Sequence, residues 1–205
     1  MKNCGNIAQS SFDEEYYIDN HSIKEEAIVS IGRYIITWRE FEAQFFHKSI
    51  STSRLKTFSK RVWKKLKGNE KTVLEEKCLS FRKESYTLFT SATNIGEKTI
   101  KHLKQYFDPM SHEEWISEED WEMALNFLKS DKKNDFTQKP FDENDFWGCM
   151  LLAYRYRNNL LHGIKYFYLI NEQIGVFQKI TDIVNVLLMI DVERGKKGKT
   201  RIASL

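Results

Sequence analysis

The sequence predicts an all-α fold, an up-and-down helical bundle, on three observations. The 205-residue chain holds only two Pro and nine Gly, too few for the turns of a many-stranded sandwich or barrel. Five Trp, nine Tyr and fourteen Phe supply a real core, although 30% of the residues are charged and the mean hydropathy is −0.55. Apolar residues also recur at three- and four-residue steps through several long stretches. The expected organisation is a polar arm over 1–20, a single helical domain over 21–192 and a basic, frayed tail over 193–205.

The elements follow in order. Ser22-Ile23-Lys24-Glu25 is a capping box, and Ile28, Ile31, Ile35, Trp38, Phe41 and Phe45 line one apolar face down to about Lys48. Leu55 to Lys67 reads as a shorter helix with Leu55, Phe58, Val62, Trp63 and Leu66 on one side, stopped by Gly68 and Asn69. Val73 to Phe107 is a long helical stretch with a break near Asn94-Ile95-Gly96, ended by Asp108-Pro109 because the residue before proline disfavours the helical region. A second capping box, Ser111 to Glu114, opens one or two short helices with Trp115, Trp121, Leu125 and Leu128. The next helix spans about Asn144 to His162 and stops at Gly163. After an extended connection over Lys165 to Ile170, Asn171 caps a last helix with Ile174, Phe177, Ile180, Val184, Leu187 and Leu188 inward. No strand is expected.

Net charge is only +3, and the cysteines Cys4, Cys78 and Cys149 have no CxxC or Cys/His spacing, so neither a zinc site nor a disulfide framework is expected and a reducing cytoplasm fits best. The N-terminus lacks an apolar core of signal-peptide type, and Val184 to Ile190 is too short for a membrane span. No cofactor, metal or membrane is therefore expected.

The helix over Asn144 to His162 carries the chemistry. At 100° per residue, Trp147, Leu151 and Tyr154 form a stripe that continues into Asn158 and Leu161, with Arg157 and His162 about 140° apart on either side of Asn158. A guanidinium offers a rigid fork of donors to phosphate oxygens, and an imidazole exchanges a proton near neutral pH. The plain alternative is that Arg and His in a last helical turn before Gly merely complement the helix dipole and cap carbonyls. Given nine Arg, twelve Asn and five His, however, Arg-Asn-x-x-x-His arises by chance only about 0.01 times in such a chain.

Arg157-Asn158-Asn159-Leu160-Leu161-His162-Gly163, ending the penultimate helix of an all-helical chain, resembles the RNxxxH motif of the HEPN domains (higher eukaryotes and prokaryotes nucleotide-binding), in particular a subset reading RNNxxHG. The likeness covers the helix from about Asn144, the last helix and, more loosely, the first helix with Trp38-Arg39-Glu40-Phe41-Glu42. It does not extend to 54–135, which reads as an elaboration with extra helices. The resemblance implies a HEPN-like bundle, commonly dimeric, and a metal-independent endoribonuclease of the kind found in toxin-antitoxin and phage-defence systems, with an antitoxin protein as a partner. Carried over residue by residue, it implies Arg157 and His162 as the catalytic pair and Asn158 as the adjoining polar residue.

That mechanism is physically coherent. RNA supplies its own 2′-OH nucleophile, and in-line attack needs a base, a leaving-group acid and donors for the developing phosphoryl charge. One His cannot serve as base and acid at once, so a homodimer bringing two copies of the helix end together would complete the site. In that arrangement His162 moves protons, Arg157 holds the scissile phosphate and Asn158 orients His162 or the substrate. The alternative is a catalytically silent HEPN-like module that binds a protein or nucleotide.

Arg54, Lys56, Lys60, Arg61, Lys64, Lys65 and Lys67 run without an acidic residue between them. Arg61, Lys64 and Lys65 are the candidate RNA contacts, against the reading of a solvated face over a core-facing Trp63. A DNA-binding role for that helix lacks a helix-turn-helix pattern. The basic tail is a weaker candidate for RNA contact. Glu113, Glu114, Glu118, Glu119, Asp120 and Glu122 are explained by the helix dipole before metal binding need be invoked. His21, His47, His102 and His112 have no partner at ligand spacing, and Glu42 would face the site if the first helix packs beside the motif.

Overall fold

A computed structural model describes residues 23–47, 50–93, 118–129, 140–161 and 170–204. Among these residues there is no strand. Six α-helices form an all-α bundle: α1 (Glu25–Phe46), α2 (Thr52–Lys65), α3 (Asn69–Thr93), α4 (Glu118–Lys129), α5 (Glu143–Leu161) and α6 (Ile174–Lys196). Short 3-10 turns cover Asn171–Gln173 and Ile202–Ser204. The expected capping box at Ser111 and the connection over 165–169 lie outside the described residues.

Helix α5 is the axis of the bundle. The sequence reading gave it one apolar stripe, but Phe146, Trp147, Cys149, Met150, Leu151, Leu152, Ala153, Tyr154, Arg155 and Tyr156 are all buried, because other helices cover it on several sides. Helix α2 runs antiparallel to it: Trp63 stacks on Phe146 with ring centroids 5.5 Å apart, while at the other end the Tyr154 hydroxyl donates to Ile50 O at 3.0 Å. Helix α4 approaches it at Gly148, where a Cβ would lie 2.5 Å from Met123 O and 2.9 Å from Phe127 Cβ. The start of α5 is a reciprocal cap. Asp142 Oδ1 accepts from Asn144 N and Asp145 N, and Asp145 Oδ2 accepts from Asp142 N.

Helices α1 and α6 pack side by side in the same direction, with Lys24 N donating to Asn171 Oδ1, Ser30 Oγ to Ile174 O and Gln44 Nε2 to Asp191 Oδ2. Helix α3 crosses α6 the opposite way, pairing Lys77 with Asp182 and Glu70 with Arg194.

Several local expectations change. Helix α1 starts at Glu25, after an extended Lys24 that makes no side-chain cap; Ser22 lies outside the described residues. Its buried face is rotated toward Tyr34, Trp38 and Phe41, which leaves Ile28 59% exposed. Helix α2 begins at Thr52 rather than Leu55, since Ser51 Oγ accepts from Arg54 N as N-cap. Asn171 does not cap α6, whose N-cap is Gln173; its side chain accepts from the entry of α1 instead. The run Asn171–Lys196 is 26 residues and, by length and composition alone, apolar enough to cross a membrane, a test that the core helix of a soluble bundle also passes. Val176, Phe177, Ile180, Ile183, Val184 and Leu187 on it are buried in the bundle core.

The basic tail is not frayed. Helix α6 continues to Lys196, the chain turns at Gly198 with φ +64, and Ile202 is fully buried. Asp191 holds this return in place by accepting from Arg201 Nε and Nη2, Ala203 N and Gln44 Nε2.

Candidate functional site

The C-terminal half of α5 meets the C-terminal half of α1 at a polar cluster in aromatic surroundings. Trp147, Leu151, Tyr154 and Asn158 lie on one stripe as expected, and all four are buried. Asn158 is therefore a polar residue at the end of a packed face. Arg157, beside it, keeps about a fifth of its side chain exposed.

Glu42, reached through the packing of α1 against the motif helix, is the organising acid. Its Oε1 accepts from Arg157 Nη2 at 3.0 Å and from Trp38 Nε1 at 3.1 Å, and the residue is only 8% exposed. A carboxylate at such a position needs donors, and the indole and guanidinium supply them. Arg157 Nη1 donates to Asn158 Oδ1 at 3.0 Å. The amide oxygen of Asn158 thus faces the guanidinium.

The aromatic wall fixes this arrangement. Trp38 lies 5.9 Å from Tyr34 and 6.4 Å from Tyr154, ring centroid to centroid. The Tyr34 hydroxyl donates to Ala153 O at 3.3 Å. Burial pushes the Tyr34 phenol well above its ordinary range; Arg157 pulls it down and Glu42 pushes it up, so it stays neutral at working pH.

An arginine has five N–H donors, of which the ion pair and the Asn158 contact occupy two. The Arg157 Nε–H is buried and has no hydrogen-bond partner among the described residues. That N–H is closed to an incoming group, while about a fifth of the side chain stays exposed and its charge is partly balanced by Glu42.

Of the residues singled out in the sequence, the structure brings Arg157, Asn158 and Glu42 together. His162 lies outside the described residues, as do His21, His102 and His112. His47 ends α1 in a left-handed conformation, its N–H donating to Glu42 O. The basic run of α2 divides in two. Lys56 pairs with Asp120 at 2.6 Å, and Arg54 donates to Phe46 O, so both are engaged within the fold. Arg61, Lys64 and Lys65 are exposed, Lys64 with Glu143 3.2 Å away. These three sit toward the end of α2 that meets the start of α5, at the opposite end of α5 from Arg157.

Asp120 of the acidic cluster is buried, bonded to Lys56 Nζ and Trp147 Nε1. No grouping of three or more His, Cys, Asp or Glu suited to a metal occurs among the described residues. The role of Trp38 was not read from the sequence, where it counts as an ordinary core aromatic; only the packing shows its indole N–H aimed at Glu42.

In comparisons with protein-family models, curated proteins and solved structures, none matches this chain.

Proposed function

We propose that the chain is a metal-independent endoribonuclease of HEPN type, cleaving RNA by attack of the 2′-OH on the adjacent phosphorus. The observation that carries the reading is the Arg157 guanidinium, oriented by Glu42 and Asn158 at the end of the motif helix with about a fifth of its side chain exposed. A scissile phosphate would meet the exposed part of that guanidinium, and charge developing on the phosphoryl group would strengthen the contact. His162, five residues on, is the proton carrier in this reading, and Asn158 orients it or the substrate.

Two copies of His162 in one cleft would divide the base and acid roles, so the active form is a homodimer. Ile28, Val29 and Ile36 on α1 and Met189 and Val192 on α6 are exposed large apolar side chains of the kind that association covers. RNA is the substrate, Arg61, Lys64 and Lys65 contribute backbone contacts, and a toxin-antitoxin or phage-defence role in the cytoplasm, with an antitoxin protein as partner, suits such an activity.

One observation favours the catalytically silent module instead: the Arg157 charge is already engaged by a carboxylate. Purified protein incubated with a mixed RNA pool in EDTA separates the two. The nuclease yields fragments with 2′,3′-cyclic phosphate and 5′-hydroxyl ends, and His162→Ala and Arg157→Ala each abolish cleavage while remaining folded. Fragments ending only in 3′-hydroxyl and 5′-phosphate, or no cleavage by the parent, reject it.

A further inference from the structure

The fold joins two basic segments that lie far apart in the chain. Arg194, near the end of α6, donates through Nη2 to Lys65 O at 3.0 Å, through Nη1 to Thr200 O at 3.3 Å and through Nε and Nη2 to the Glu70 carboxylate. One largely buried guanidinium thereby ties together the end of α2, the start of α3 and the returning tail. Lys65 and Lys67 of the first segment and Lys196, Lys197 and Lys199 of the second are all exposed.

The carboxylates paired with these segments do not cancel them. Glu70 is taken up by Arg194, and Glu193 lies 3.2 Å from Lys196 and 3.6 Å from Lys197. Among the described residues of these segments five exposed ammonium groups stand against the exposed Glu193, on a chain whose overall charge is only +3. Such local concentration of one sign attracts a polyanion through counterion release.

We infer that Lys65, Lys67, Lys196, Lys197 and Lys199 form a composite surface that binds the phosphate backbone of single-stranded RNA. Ile28, Val29 and Ile36 lie on α1, but the exposed Met189 and Val192 lie on α6 one to two turns before Lys196, so binding to an anionic lipid surface is the outcome the test separates from RNA binding. It lies past the C-terminal end of α1, the helix whose Glu42 holds Arg157, and next to the end of α2 that carries Arg61 and Lys64. The inference rests on the nuclease reading only for its choice of RNA as the polyanion, and it assigns the surface to holding the strand away from the scissile bond.

The test uses the full chain and a fluorescein-labelled, 2′-O-methylated oligouridylate, which lacks the nucleophile and cannot be cleaved. Anisotropy titrations from 50 to 200 mM KCl compare the parent, K65Q/K67Q/K196Q/K197Q, and K24Q/R33Q/R39Q/K83Q, which removes equal charge from other exposed positions. The first variant should bind at least tenfold more weakly at 100 mM KCl, its salt slope shallower by about 3, or roughly 0.7 per lysine removed. The second should stay within threefold of the parent. Equal losses in both variants, no loss in the first, or lysine-dependent binding of phosphatidylglycerol vesicles without RNA binding would each overturn the inference. Patch-dependent binding by a parent that cleaves no RNA would sink the nuclease and leave this surface standing; RNA cleavage with patch-independent binding would do the reverse.

Discussion

Glu42 and Arg157, 115 residues apart in the chain, are joined through a carboxylate oxygen that also accepts the indole N–H of Trp38. The acid is almost enclosed while the guanidinium reaches the surface, so the pair acts as a fixed mount for a partly accessible cation.

Glu42→Gln tests that mount. It retains an oxygen for Trp38 and Arg157 but removes the charge, leaving a guanidinium with a neutral partner. A loss of about 1 to 3 kcal/mol in urea unfolding is expected, below the cost of breaking a fully buried pair because Arg157 is partly exposed. Combining it with Arg157→Gln should recover part of that loss, and a double-mutant cycle measures the coupling. Strict additivity would show that the two side chains do not interact. RNA cleavage should fall in Glu42→Gln with the fold intact by circular dichroism.

Gly148 permits the close approach of α4 to α5, since an added Cβ meets backbone Met123 O and Phe127 Cβ rather than the end of a flexible side chain. Gly148→Ala should therefore destabilise by about 1 to 3 kcal/mol despite the better helix propensity of alanine. A thermal midpoint equal to or above that of the parent would contradict this packing.

Acid should loosen the tail before the rest of the bundle. Burial alone would raise the Asp191 pKa, but hydrogen bonds from Ala203 N, Arg201 and Gln44 outweigh it and hold the group below its ordinary value. The Arg194 hydrogen bonds likewise lower Glu70. Both carboxylates bind protons more weakly folded than unfolded, so their contribution is complete above about pH 5 and is lost as pH falls through the depressed folded values. Midpoints measured from pH 7 to pH 3 should drop below about pH 5, with a shallower fall in Asp191→Asn. Parallel pH profiles for parent and variant would dissociate Asp191 from the effect.

Ile202 is fully buried at the end of the return that Asp191 secures. Ile202→Ala should cost about 2 to 4 kcal/mol, and hydrogen exchange of 197–204 should rise with it. A neutral substitution would mean that the tail packs only loosely in solution.

The sequence by itself determined the helical class, most helix positions and the Arg157 and Asn158 pair, because three-to-four spacing, sparse Pro and Gly, and cap residues act over a few neighbours. The start at Ser51 rests on a local cap to Arg54 N that lies within the sequence, whereas the Asn171 oxygen serves Lys24 N at the entry of another helix, a partner chosen by packing. Ile28 was assigned inward by its spacing, yet which sector of a helix is covered depends on where neighbours sit, and Tyr34 and Trp38 took that sector. Tertiary structure alone decided that Glu42 and Trp38 orient Arg157, and that the lysines of α2 and the tail meet around Arg194. Charge and hydrogen-bond partners act through space, and chain separation carries no record of which distant side chain folding will bring within 3 Å.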